Sequence, residues 1–249
     1  MSADTRAIVF GDDARSYELA RPDYPHEALA HVAGLVEADT AVEVGAGTGK
    51  ATAGLARPGL RSICVEPSAE MAAILAAKDL PGVEVVISRF EEWAGPDVPV
   101  DLIYAAQSWH WVDRAVGYDK TLSMLRPAGA LALIWNIPFD RYDQFGDVYA
   151  RHAPHLLGEQ DERIRRRDSH DWLEDMAAAG FADLETFTHE WSTDLTGAEM
   201  RALYSTYSDH MMLPEPTRTA LLDELETEVG AMGGSMRLAY RTVVFSGRA

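Results

Sequence analysis

Val42-Glu43-Val44-Gly45-Ala46-Gly47-Thr48-Gly49-Lys50 constrains this chain more than any other stretch. The apolar run from Ala41 to Val44 reads as a buried strand, and Ala51 to Ala56 opens a helical pattern. Three glycines at alternate positions lie between them. Glycine tolerates positive φ and lets a backbone come close to a ligand. The helix that follows presents unpaired N–H groups and the positive end of its dipole, which suits an anionic group. In open α/β sheets, turns of this sort at the carboxyl ends of parallel strands are where ligands bind.

Spacing sorts the ligand families that use such turns. A P-loop needs four residues between its first glycine and the Gly-Lys-Ser/Thr. Here Gly45 to Gly49 leaves three, and Ala51 follows Lys50, so a magnesium ion would lose its hydroxyl ligand. A dinucleotide fingerprint needs a small residue where Lys50 stands. Glu43 would repel a pyrophosphate but could face a ligand ammonium group. The remaining pattern, Glu-x-Gly-x-Gly-x-Gly, resembles motif I of the class I S-adenosylmethionine-dependent methyltransferases. An ordinary glycine turn is the plain alternative.

A second apolar run, Arg61 to Val65, ends in Glu66-Pro67-Ser68. An acid at the tip of the second strand, about 20 residues after the glycines, can accept both hydroxyls of a ribose. Glu66 also fits an NAD-dependent oxidoreductase, so it supports a nucleoside cofactor without choosing one. Its plain alternative is an acid in the first turn of the next helix, with Ser68 as N-cap.

From residue 41 onward, strands and helices alternate as a doubly wound parallel sheet requires. The expected strands are 41–45, 61–65, 83–87, 101–105 and 130–135, with helices at 50–56, 68–78 and 113–125. The loops after the third and fourth strands face the same edge as the glycine turn. After the third, Arg89 and Phe90 stand where the resembled enzymes hold adenine; Phe90 and Trp93 read equally well as packing under the sheet edge. After the fourth comes Gln107-Ser108-Trp109-His110-Trp111-Val112-Asp113. The Gln-Ser-x-His-Trp pattern resembles a branch that includes trans-aconitate methyltransferase-like small-molecule enzymes. Asp113 is a good N-cap for the next helix. Aromatic faces attract sulfonium cations, so Trp109 or Trp111 can line a donor or acceptor pocket. His110 has the chemistry of a general base near neutrality, although a lone histidine is more often structural. Leu125-Arg126-Pro127-Ala128-Gly129 is similar to the segment that precedes the fifth strand in these enzymes, with Ala128 in place of one glycine.

The resemblance implies S-adenosyl-L-methionine as cofactor and S-adenosyl-L-homocysteine as product. It implies that Glu43, Gly45, Ala46, Gly47, Thr48, Gly49, Glu66, Pro67, Arg89, Phe90 and Gln107 hold it. It implies an α/β fold: a doubly wound, mostly parallel seven-stranded sheet, Rossmann-like, with helical lid insertions. Within one domain, residues 1–40 would be an N-terminal helical flap and 41–136 the cofactor-binding core. Residues 137–249 would supply strands six and seven, with lid insertions at about 137–167 and 196–232. Strand seven, about Tyr240 to Ser246, is expected to run antiparallel beside the fifth, and Leu184 to Trp191 to form the sixth. Tyr17, Tyr24, Trp109, Trp111, Trp135, Tyr204 and Tyr207 are the candidates for the acceptor pocket, beside His210 and Met211; lid-to-sheet packing is their plain alternative. The basic run Arg163, Arg165, Arg166, Arg167 could bind an acidic acceptor or be a solvated helix face.

Charge bounds the partners. With 22 basic against 40 acidic residues, the formal net charge is −18. That argues against a nucleic-acid surface and disfavours an anionic membrane. A small-molecule acceptor is expected instead. The single cysteine, Cys64, lies within the second strand and reads as core. No apolar run has the length of a signal peptide or a membrane span, so a cytoplasmic location is expected. The eight histidines show no metal-ligand spacing with cysteine or acids. The rival functions are an NAD-dependent oxidoreductase and a non-catalytic protein that binds S-adenosylmethionine.

Overall fold

A computed structural model describes residues 14–139, 143–157 and 171–249 of the protein. The strand before the glycine turn is β1 (Thr40–Val44), followed by β2 (Arg61–Glu66), β3 (Val83–Ile87), β4 (Val100–Ala106), β5 (Leu125–Pro138), β6 (Ala182–Thr196) and β7 (Ser235–Arg248). They form a seven-stranded sheet in the order β3-β2-β1-β4-β5-β7-β6. β1 to β5 pair in parallel, and β7 runs antiparallel between β5 and β6, as expected for the last strand. The strand order reverses between β1 and β4, which opens a crevice at their carboxyl ends.

The helices are α1 (Ala14–Ala20), α2 (His26–Gly34), α3 (Lys50–Leu55), α4 (Ala69–Ala77), α5 (Arg114–Met124), α6 (Gly146–His152), α7 (Asp171–Ala179), α8 (Gly197–Ser205), α9 (Ser208–Met211) and α10 (Glu215–Ala231). Strand side chains alternate between the two sheet faces. Val42, Val44, Ile103 and Leu131 face Tyr118 and Met124 of α5 and Met176 of α7. Ala41, Leu102, Tyr104 and Ala132 face Leu29 and Val32 of α2 and Leu55 of α3. This double cover is why β1 and β4 are apolar runs rather than alternating ones. A separate apolar cluster joins Tyr149 of α6, Leu203 of α8 and Leu225 of α10 to Met236, Leu238 and Tyr240 of β7.

Several element limits differ from the sequence reading for identifiable reasons. β5 begins at Leu125 instead of near 130, because Leu125 already pairs with Val100 before a register shift carries Leu102 to Ala130. Ala128, within that bulge, has φ +64, a conformation that favours glycine. β6 and β7 outrun their apolar cores: their ladder extends from Ala182 to Thr196, and polar outer positions are paired, as in Arg237–Asp194 at 2.9 Å. An antiparallel ribbon with one solvated face tolerates such residues. Pro214 and Pro216 stand at the start of α10, Pro214 as its N-cap residue. Ser68 and Asp113 cap α4 and α5 as expected, accepting from the Met71 and Ala115 amides. The arginine run at 163–167 lies outside the described residues.

At the end of the sheet remote from the glycines, Asp101 ties β4 to β1. Its carboxylate accepts from the backbone N–H of Asp39 at 2.8 Å and of Thr40 at 2.9 Å, and from Arg126 Nε at 2.7 Å. Asp101→Ala leaves two amide donors without this buried acceptor, and is expected to lower unfolding free energy by about 3 kcal/mol in urea titration. An unchanged midpoint would show that the carboxylate is not the tie.

Candidate active site

The glycine turn has φ +66 at Gly45, +58 at Gly47 and +83 at Gly49, so all three are left-handed positions that glycine takes without strain. Gly45 and Gly49 are also packing positions. A Cβ on Gly45 would stand 2.5 Å from Ser108 Cβ, and one on Gly49 would stand 2.2 Å from Leu75 Cδ1. The close approach read from the sequence is therefore made, at these two glycines, to the protein's own side chains. Gly47 is different: a Cβ there would meet only Met71 Sδ, at 3.9 Å. Next to it, Thr48 Oγ1 is buried without a hydrogen-bond partner.

Two acids sit beneath this turn. Glu43 is 1% exposed on β1, opposite Cys64 and Tyr104 on the flanking strands. Its Oε2 accepts from Tyr104 Oη at 3.0 Å and from Thr52 Oγ1. Burial pushes the carboxyl up from 4.5 to about 7, against the pull of the Thr52 and Tyr104 hydrogen bonds. Burial, with Glu43 nearby, raises the Cys64 thiol as well. Glu66, at the tip of β2, accepts from Gly47 N–H at 2.7 Å and Ser68 N–H at 2.8 Å. Its carboxyl is raised by burial, which outweighs these two bonds.

A cleft of about 660 Å³, open solvent included, runs from the glycine turn across the carboxyl ends of β1, β4 and β5. Glu43, Gly45, Ala46, Gly47 and Thr48 form its floor, and Gln107 and Asn136 one side. Gln107 is held at φ +59, with Nε2 donating to Asn136 O at 2.8 Å. Tyr17, Arg21 and Tyr24 cover it from the N-terminal segment, and Tyr207 and Tyr240 close the far end. Burial raises both Tyr17 and Tyr24 phenols. The covering segment is tied down in three places. Lys50 reaches Asp23 at 3.0 Å, Lys78 reaches Glu18 at 2.8 Å, and Arg21 donates through Nε and Nη2 to Thr206, each at 2.8 Å.

The structure thus brings Glu43, Gly45, Ala46, Gly47, Thr48, Gln107, Tyr17, Tyr24 and Tyr207 to one cleft. It places the other candidates elsewhere. Gly49 packs on Leu75, Pro67 is exposed, and Glu66, which accepts from the Gly47 amide, is not among the residues that line the cleft. Phe90 is 4% exposed and packs in the core cluster, beside Trp109 and beneath Lys120; Arg89 is half-buried next to it. Trp109 is core, wedged against Tyr118. Trp135 is core too, stacked on Trp172 at 5.3 Å. Tyr204 lies inside the helical cluster, beside His210, which is also fully buried and bonds Tyr149 and Asp209. Trp111 is half-buried. His110 is exposed on Trp111 and Trp135, outside the cleft wall, because the short 3-10 turn at Trp109–Trp111 points alternate rings in and out. Missed by the sequence reading were Lys50, Asn136 and Tyr240. Asn136 had a signal: it is the first polar residue after the apolar run of β5. Among the described residues no group of three or more His, Cys, Asp or Glu forms a metal site.

Residues 42–133 match the methyltransferase domain family. An uncharacterized methyltransferase of Mycobacterium bovis is 31% identical over 242 residues, which is 95% of this chain and 94% of that protein. The chain belongs to the methyltransferase family. An uncharacterized methyltransferase-like protein of Schizosaccharomyces pombe is 28% identical to this methyltransferase, over 96% of the chain and 94% of its own length. Among solved structures, a proposed type II methyltransferase from Anaeromyxobacter dehalogenans superposes with a TM-score of 0.65 at 20% identity, covering 92% of this chain and 97% of that one. A phosphoethanolamine N-methyltransferase of Haemonchus contortus, in complex with phosphomonomethylethanolamine and S-adenosylhomocysteine, gives 0.56 at 13% identity, over 96% of this chain and 57% of its own. Family membership sets aside the NAD-dependent oxidoreductase.

Glu43 makes this methyltransferase's stability pH-dependent. Its folded carboxyl holds a proton up to about pH 7, whereas the unfolded chain releases it near 4.5. The folded state therefore binds more protons between those values, and this group's contribution falls as pH rises through the window. Glu43→Gln keeps an acceptor for Thr52 and Tyr104 but cannot titrate. The loss of unfolding free energy from about pH 4.5 to about pH 8 should shrink by roughly 2–3 kcal/mol in the variant. Parallel pH profiles for the two proteins would refute the assignment.

Proposed function

We propose that this methyltransferase moves a methyl group from S-adenosylmethionine to an oxygen atom of a small molecule in the cleft. The observation that carries the reading is the continuity of one cleft from the glycine turn to the Tyr207–Tyr240 wall. The floor suits the cofactor: Thr48 Oγ1 is a buried orphan, and the space over Gly47 is open. Arg21 and Lys50 bring cations to the cleft that suit the methionine carboxylate, and Glu43 suits its ammonium. Each Glu66 oxygen has a further lone pair for a ribose hydroxyl beyond the amide it already accepts. Pro67 and Arg89 lie along the same edge.

When bound, S-adenosylmethionine supplies a methyl on a sulfonium; an acceptor oxygen displaces it in line, forming O–CH3 as S–CH3 breaks and leaving the neutral thioether of S-adenosylhomocysteine, the sulfonium charge being balanced by the negative charge of a carboxylate acceptor or by a hydroxyl proton released to solvent. The protein's own task is alignment, which can contribute ~7–11 kcal/mol in ideal intramolecular cases. Gln107 and Asn136, locked to each other, fix the side of the cleft nearest the turn. Tyr17, Tyr24 and Tyr207 exclude water from above, with α1 and the α8–α10 helices acting as a lid. A carboxylate acceptor needs no base, so the exposed His110 is not required as one. The acidic balance of the chain favours a small-molecule partner over nucleic acid or an anionic membrane surface. We read residues 14–25 as the flap; α2 belongs to the sheet cover.

Calorimetric titration with S-adenosylmethionine, S-adenosylhomocysteine and NAD tests this. The first two should bind with Kd on the order of micromolar, and Glu66→Ala should weaken both by at least about tenfold. Binding of NAD alone would overturn the reading. Once an acceptor is in hand, His110→Ala should keep turnover within about tenfold of wild type, less than the typical loss of a general base.

A further inference from the structure

Tyr240 stands out among the cleft residues. It lies on β7 in register with Pro138 on one side and Trp191 on the other. Its ring stacks on Trp191 at 4.6 Å with 12° between the planes, which fixes where the phenol points. Two residues along the same face, Thr242 accepts from Trp191 Nε1 at 2.9 Å and donates to Asn136 Oδ1 at 2.6 Å, so the backing is itself bonded. Tyr240 is 2% exposed, yet it lines the cleft, and its hydroxyl makes no hydrogen bond to a described residue. The neighbouring Tyr207 hydroxyl is close enough to compete for its proton and, after burial, raises its titration. Buried hydroxyls are normally satisfied, so one left open on a cleft wall points to a ligand.

The charges around it say which ligand. The Arg21 guanidinium lies 4.3 Å from the ring centre of Tyr207 and 5.3 Å from that of Tyr17. Two of the aromatic faces that could hold an ammonium group, those of Tyr207 and Tyr17, are thus taken by the protein's own cation. Of the titratable groups on the wall, Lys50 is paired with Asp23, and Glu43 lies at the glycine turn, on the side read for the methionine ammonium. No acidic side chain is among the described residues that line the far end of the cleft, whereas a phenol O–H can donate to an oxygen.

Resting on the methyl-transfer reading, we infer that Tyr240 is the acceptor-positioning residue, its hydroxyl donating a hydrogen bond to a neutral or anionic oxygen of the acceptor and selecting such compounds over ammonium ones. Tyr240→Phe keeps the ring and its stack on Trp191 and removes only the hydroxyl.

The test uses the full chain saturated with S-adenosylhomocysteine, whose affinity is first measured by calorimetry in both proteins. Two probe sets of common skeleton are then titrated by ligand-observed NMR: benzoate, benzyl alcohol and benzylamine, and hexanoate, hexanol and hexylamine. In wild type, at least one oxygen probe should bind at least about fivefold more tightly than its matched amine. In Tyr240→Phe that preference should vanish, with S-adenosylhomocysteine affinity within about twofold of wild type. Tighter binding of the amines, binding of none of the six, or a preference that survives in the variant would overturn the inference. Failure of S-adenosylhomocysteine to bind wild type would instead sink the cofactor reading beneath it.

Discussion

The contact of Gly45 with Ser108 is the constraint on which the site depends. β1 and β4 are neighbours, but their following segments diverge to opposite faces of the sheet. Ser108 closes the gap between them, with its Oγ donating to the Val44 carbonyl and its Cβ filling the place a side chain on residue 45 would need. The contact works only if residue 45 is glycine, and it sets the depth of the cleft floor. It also holds Gln107 in its left-handed conformation, its N–H on Ile134 and its amide on Asn136. Floor and side wall are thus one bonded unit, built from three strand ends.

Much of this was legible in the sequence because its determinants are local. The glycine turn, the buried β1 and β4 runs and the Ser68 and Asp113 caps all depend on residues a few positions apart. So does the order of the elements, since short connections between parallel strands leave few topologies open. The aromatic residues show where locality ends. Trp109, Trp135, Phe90 and Tyr204 could be read from residue type and position either as site walls or as packing, and each is buried in a core cluster. A large ring near a strand end can be buried under the edge or turned over it, and the choice is made by partners distant in sequence. Trp172 takes Trp135, and Tyr118 takes Trp109.

Tyr240 is the converse case. Nothing around it in the chain marks it as a site residue, because what matters is Trp191 across the ladder and Asn136 on the next strand but one in sequence. Lys50 was noticed only as the residue that spoils a dinucleotide fingerprint. Its actual partners, Asp23 and Glu18, precede the sheet. Partly exposed ion pairs of this kind contribute about 0–1 kcal/mol each, so they orient the covering segment more than they stabilise it.

β7 has a mechanical consequence. Val243 and Phe245 belong to the core between the sheet and its helices, while Met236, Leu238 and Tyr240 belong to the cluster with α6, α8 and α10. One unbroken strand therefore passes through both, and it is paired on both sides across the junction. A paired strand resists bending where a loop would not, so the two bodies share a rigid beam and cannot part along that line. Compliance is left to the N-terminal segment, fastened by Arg21 and a few ion pairs. Passage of molecules into and out of the cleft would be timed by the breaking of those fastenings, and its rate should respond to ionic strength in a way that the sheet itself does not.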